Sequence, residues 1–202
     1  MPKPWPMKWI VLIIVVFIGG YTWVNLHYRK PNRPFRPYED MANRATTVRL
    51  LKGGWSRIPV MTRRPADKPA GAEAPAAPAA ISRGSVGLGI ELDEAFAEKP
   101  KLPAAIDQVV GPREVAHGAD YAAYFKVGFA DNSAMLGDLS LYRKGNLLVI
   151  IPTLEPVPGK LLVRWKDGAY WLSFSTQSLP AGRYQLKLLA RGPAAMWDVT
   201  VK

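Results

Sequence analysis

Cysteine is absent from the chain. Disulfides, thiolate metal sites and a cysteine nucleophile are therefore excluded, although the absence does not fix a compartment, since reducing and oxidising spaces both permit it. Histidine is nearly as scarce. His27 and His117 lie in different segments, which argues against a two-histidine metal site or a Ser-His-Asp triad. Acidic residues are scarce in the first part of the chain. Residues 1–64 hold 12 Lys/Arg against Glu39 and Asp40 alone, whereas residues 65–202 hold 15 Lys/Arg against 14 Asp/Glu. All but one unit of the formal charge of +11 thus belongs to the N-terminal segment. The distal part is close to neutral, so no nucleic-acid partner is expected.

Ionisable side chains are also missing between Trp9 and Leu26. Eighteen helical residues rise about 27 Å, close to the hydrocarbon thickness of a bilayer. This predicts a transmembrane helix over 9–28 behind a basic tail, 1–8. Trp9, Phe17, Tyr21, Trp23 and Tyr28 are its expected membrane-anchoring residues, with aromatic rings gathered at both ends where headgroups begin. The apolar run exceeds the core of a cleaved signal peptide and ends in bulky Trp23, Leu26 and Tyr28 before Arg29-Lys30. A retained single-pass anchor is expected. Arg29, Lys30, Arg33, Arg36 and Arg44 follow the helix most closely, against Lys3, Lys8 and the α-amino group before it. That count favours a cytoplasmic distal domain. The basic tail and the layout of a signal anchor favour export, and an exocytoplasmic, periplasmic domain is the expectation adopted.

Residues 29–64 read as a basic juxtamembrane neck. Pro31, Pro34 and Pro37 extend its first stretch. A helix follows, with Pro37 suited to its first turn, Glu39 and Asp40 at its positive end, and Gly53-Gly54 to stop it. Met41, Ala45, Val48 and Leu51 form one apolar stripe. Arg44, Arg49 and Lys52 are the candidate contacts to an anionic membrane surface, and a solvated spacer helix is the competing reading. Residues 65–80 are an Ala/Pro-rich linker without a core-forming pattern.

From residue 81 to 202 the period becomes two. Val86, Leu88, Ile90 and Leu92 predict one strand, and apolar runs over 121–130, 138–142, 147–151, 161–165 and 169–173 predict others. Asp167-Gly168 predicts a hairpin turn between the last two. Tyr184, Leu186 and Leu188, then Trp197, Val199 and Val201, close the set. Residues 94–118, with three prolines, carry the weakest pattern and predict at most a short helix. The fold class expected is mainly β: a single N-terminal transmembrane helix, a short juxtamembrane helix, and an antiparallel immunoglobulin-like β-sandwich.

No residue set reads as a catalytic site, and no cofactor or metal is expected. Gly84, Gly87 and Gly89 lack the lysine and following helix of a phosphate loop. Asp93, Glu94 and Glu98 lack the spacing of a calcium loop. His117 reads as a surface residue, and Met135 and Met196 as core filler. Trp165, Trp171 and Trp197 fall on neighbouring expected strands, either as core or as an exposed aromatic face for a partner.

Tyr38-Glu39-Asp40, the helix after it and Leu50-Leu51-Lys52-Gly53-Gly54-Trp55 resemble the segment beyond the anchor in FixH-like proteins. Asp167-Gly168-Ala169-Tyr170 and Leu179-Pro180-Ala181-Gly182-Arg183-Tyr184 are similar to that family's closing pattern. The Ala/Pro linker departs from it. The resemblance implies an anchored, exported β-sandwich that accompanies haem–copper oxidase assembly, and it transfers no functional residues. Two functions are carried forward. One is a non-enzymatic accessory or scaffolding protein touching the bilayer and a protein partner in a membrane complex. The other is an exported module that holds a cell-envelope polymer such as glycan.

Overall fold

A computed structural model describes residues 7–28, 39–64, 82–157 and 166–202. It divides into two units, residues 1–37 and 38–202. Among its described residues the first contains one helix, α1 (Met7–Tyr28). Its Met7–His27 stretch is long and apolar enough to cross a membrane. Trp9, Phe17, Tyr21 and Trp23 are exposed along it, and the side chain of Tyr28 lies outside the described residues. The Asn25 side chain donates to the Tyr21 carbonyl at 2.9 Å, which satisfies one polar group within the helix itself. Phe17 stacks on Tyr21 and Trp23 on His27, the four-residue spacing that places side chains over one another on a helix.

The second unit is a mainly β domain whose boundary differs from the sequence expectation. Helix α2 (Glu39–Lys52), strand β1 (Ser56–Ile58) and strand β2 (Met61–Arg63) belong to it. The neck expected over 29–64 is therefore split near residue 38, and the domain does not begin at 81. The reason is visible at the end of α2. Gly54 takes φ +77°. The Trp55 amide donates to the Leu50 carbonyl at 2.9 Å, and the Gly54 amide donates to that of Leu51 at 3.0 Å. This is the glycine-based stop that brings the residue after it against the helix three places before its cap. Leu50 and Trp55 are accordingly buried together. The chain then runs as β1 along one sheet and, after Pro59-Val60, as β2 along the other.

The remaining elements are β3 (Ser82–Val86), α3 (Ile90–Ala95), β4 (Ala105–Val110), β5 (Glu114–Val115), β6 (Asp120–Gly128), β7 (Ala134–Lys144), β8 (Leu147–Pro156), β9 (Asp167–Ser175), β10 (Gly182–Leu188) and β11 (Pro193–Val201). One sheet runs β1-β7-β8-β10-β11-β3, with β5 also on β11, and the other runs β2-β9-β6-β4. Pairing is not wholly antiparallel: β8 lies parallel to β10, and β5 parallel to β11. The β7–β8 hairpin turns on Gly145-Asn146, with Lys144 opposite Leu147, and it lies between β1, paired to its first strand, and β10, paired to its second.

Between the sheets lies one apolar core, including Val109, Tyr121, Phe125, Leu141, Ile150, Leu172 and Leu186. A second cluster covers the outer face of the larger sheet. Leu50, Trp55, Leu92, Ala95 and Leu102 pack there on Tyr142, Val149, Ile151, Leu189 and Ala194. The larger sheet is therefore buried on both faces around β8, which explains why the middle of that strand is an unbroken apolar run.

Three local expectations change. Val86–Leu92 is not one strand: Gly87 and Gly89 adopt φ of +69° and +79°, ending β3 and admitting α3, where Leu92 and Ala95 share the buried face. Asp167-Gly168 lies inside β9 opposite Gly128 and Val127, so it is not a turn, and the expected strand 161–165 falls outside the described residues. Residues 94–118 contain β4 and β5. In β4 a register shift between Ile106 and Gln108 leaves Asp107 and Gln108 both exposed, and a bulge of this kind erases the two-residue period.

Candidate functional site

The helix stop that buries Leu50 also decides which face of α2 is free. Thr46 and Leu50 are buried against the domain. The Thr46 hydroxyl accepts the Ala97 amide at 3.1 Å, and Arg49 Nη1 reaches the Glu94 carbonyl at 3.5 Å. On the other side, Met41, Val48 and Leu51 are exposed at 59%, 50% and 63%. Arg44, Arg49 and Lys52 are exposed among them. The stripe singled out in the sequence thus exists, but it faces outward and a different pair of residues holds the helix to the domain. From Met41 to Arg64 the chain has six Lys/Arg and no Asp or Glu. Among the described residues, Arg44, Arg49 and Lys52 make no ion pair.

The tryptophans do not form a common face. Trp197, on β11, is 2% exposed in the core, and its Nε1–H donates to the Tyr121 hydroxyl at 2.9 Å across the sheets. Burial holds the Tyr121 phenol well above its ordinary pKa, against the opposing effect of the bond from Trp197. Trp171, on β9, is 9% exposed and meets the edge of Tyr124 at 5.7 Å between centroids. Trp165 lies outside the described residues. Trp171 and Trp197 are both buried and lie in different sheets.

Of the acidic cluster, Asp93 is engaged in an ion pair, and Glu91 just before it in another. Asp93 pairs with Lys99 at 2.6 Å and Glu91 with Lys144 at 2.7 Å. The same Lys144 ammonium sits 5.5 Å above the Trp55 ring, so one cation ties α3, β7 and the end of α2 together. His117 is exposed, with Nδ1 2.9 Å from the Leu179 carbonyl, and its amide donates to Lys202. Met196 covers Gly84, where an added Cβ would meet its sulfur at 2.3 Å. Among the described residues no three His, Asp or Glu side chains are grouped to hold a metal. A crevice lined by Val115, Tyr121, Phe174, Leu179 and Val201 has no room for a water molecule.

The sequence reading missed Trp55. Its signal was the Gly-Gly-Trp that follows a helix with a leucine three places before the cap, a pattern that predicts burial of the aromatic ring. No protein-family model, curated protein or solved structure matches the chain.

Proposed function

We propose that this chain is a non-enzymatic, membrane-anchored accessory or scaffolding protein whose β-domain contacts a protein partner in a membrane complex. The observation that carries the reading is the joining of one apolar helix of membrane-crossing length to a domain whose core is filled with side chains from both sheets and a helical layer. Such a domain offers surface for recognition. The domain stands on the exocytoplasmic side, and the resemblance in the neck and closing segment directs the search to haem–copper oxidase assembly. An immunoglobulin-like layout of the sandwich is supported by one further feature. The Tyr184 hydroxyl, early in β10, donates to the Pro180 carbonyl four residues back at 2.8 Å, the corner found in such folds. The parallel seam between β8 and β10 departs from that layout.

Chemical crosslinking of the full-length protein in native membranes, followed by purification under denaturing conditions, tests the function. Recovery of the subunits of one membrane complex is expected. Recovery of glycan with no protein crosslink would overturn the proposal in favour of polymer binding.

A further inference from the structure

We infer that the outward face of α2 is a docking surface for the anionic headgroups of the bilayer in which α1 is anchored, so that the folded domain lies on the membrane in one fixed orientation. The inference rests on the anchor reading above and adds what the domain does beside the membrane.

Three observations support it. Outside α1, six large apolar side chains are exposed among the described residues: Met41, Val48, Leu51, Met61, Val86 and Ile90. Half of them share this one helix, on the side away from Thr46 and Leu50. Next, exposed Arg44 and Lys52 alternate with these apolar groups, Arg49 at the flank reaches the Glu94 carbonyl, and the acid-free run continues through exposed Arg57, Arg63 and Arg64. Cations interleaved with apolar side chains match an interface whose outer layer is anionic and whose next layer is hydrocarbon. Finally, the ten residues from 29 to 38 that join α1 to α2 can extend at most about 35 Å. The tether therefore keeps α2 at a high local concentration near a bilayer crossed by α1, and weak contacts suffice for occupancy.

Because Leu50, Trp55 and the Thr46–Ala97 hydrogen bond fasten α2 to the domain, docking orients a rigid body. A loose amphipathic helix would bind without turning anything. A protein partner on the same face would require acidic side chains to meet these cations, and its contact would not depend on lipid charge.

The chain has no cysteine, so one introduced thiol carries a label cleanly. Full-length Val48→Cys bearing a polarity-sensitive fluorophore is reconstituted into vesicles of phosphatidylcholine alone or mixed with phosphatidylserine. The same label at Gln177→Cys, an exposed site on the turn after β9, is the control. A blue shift and shielding from an aqueous quencher are expected at position 48 in the mixed vesicles only. High salt should reverse both effects. Changing Arg44, Arg49 and Lys52 together to Gln should weaken docking by about fivefold per lost charge. Equal emission in both vesicle types, a shift that survives the triple substitution, or shielding that persists in lipid-free detergent would each overturn the proposal. Flotation at alkaline pH reports insertion of α1 separately. A chain that floats without the shift defeats this proposal alone, and a chain that does not float defeats the anchor reading and this proposal with it.

Discussion

Tyr121 and Trp197 carry the most consequential polar contact in the core, because neither group can find water if the other is removed. Tyr121→Phe leaves the indole N–H buried without its acceptor, and a cost of about 1–3 kcal/mol is expected in urea denaturation of residues 38–202. The double change Tyr121→Phe/Trp197→Phe should cost less than the sum of the singles, as for any directly coupled pair. The bond also has a pH signature. Burial raises the Tyr121 phenol above 10.0 in the folded state, while the unfolded chain ionises near pH 10. The stability this contributes is complete below that pH and drains away as pH rises toward the folded value. Half-buried Tyr170 is displaced in the same direction, chiefly by desolvation. Denaturation midpoints should therefore fall above pH 10, with a shallower fall in Tyr121→Phe. An unchanged slope would remove Tyr121 from the account.

At the scale of elements, α2 has two unlike faces that a sequence pattern makes look alike. Leu50→Ala should cost about 2–5 kcal/mol and Trp55→Ala about 3–5 kcal/mol, since each empties a packed site against Tyr142, Val149 and Ile151. Val48→Ala and Met41→Ala, on the outward face, should change stability by less than about 0.5 kcal/mol. Thermal denaturation of these four variants distinguishes the arrangement. If Val48→Ala were as costly as Leu50→Ala, the helix would be turned the other way. The stripe was legible in the sequence, and its direction was not. Apolar side chains can serve a core or an interface, and periodicity does not choose between them. What chooses here is the glycine stop, because the hydrogen bond from Trp55 to Leu50 fixes which residues meet the sheet.

For the whole molecule, the compact unit that holds the β-domain runs from residue 38 to 202. A fragment of residues 81–202 loses β1 and β2, uncovers the edges of β7 and β9, and strips Leu50 and Trp55 from the second cluster. It should unfold at a lower denaturant concentration than residues 38–202 and associate through its open edges. Equal midpoints and a monomeric fragment would show the N-terminal elements to be decoration. The proposed exocytoplasmic placement is checked by two C-terminal fusions, one to alkaline phosphatase and one to a fluorescent protein that matures only in the cytosol. Phosphatase activity without fluorescence is expected. Fluorescence alone would put the domain in the cytoplasm and end the comparison with exported oxidase accessories.

The amino-acid sequence by itself determined the apolar helix, the basic segment after it, the Ala/Pro stretch and a mainly β character. Each of these is local: a run without charge, a count of cations, a composition, or a two-residue alternation along β6 and β11. Tertiary structure decided the rest. Whether Trp197 and Trp171 face a partner or the interior depends on which strands neighbour theirs, and the paired sheets buried both. The membership of α2, β1 and β2 in the domain rests on pairings with strands about 85 and 110 residues further along. The strand β4 was hidden because its bulge removes the alternation by which strands are read. Local chemistry fixes what a segment can become, while long-range pairing fixes which of its faces the rest of the molecule covers.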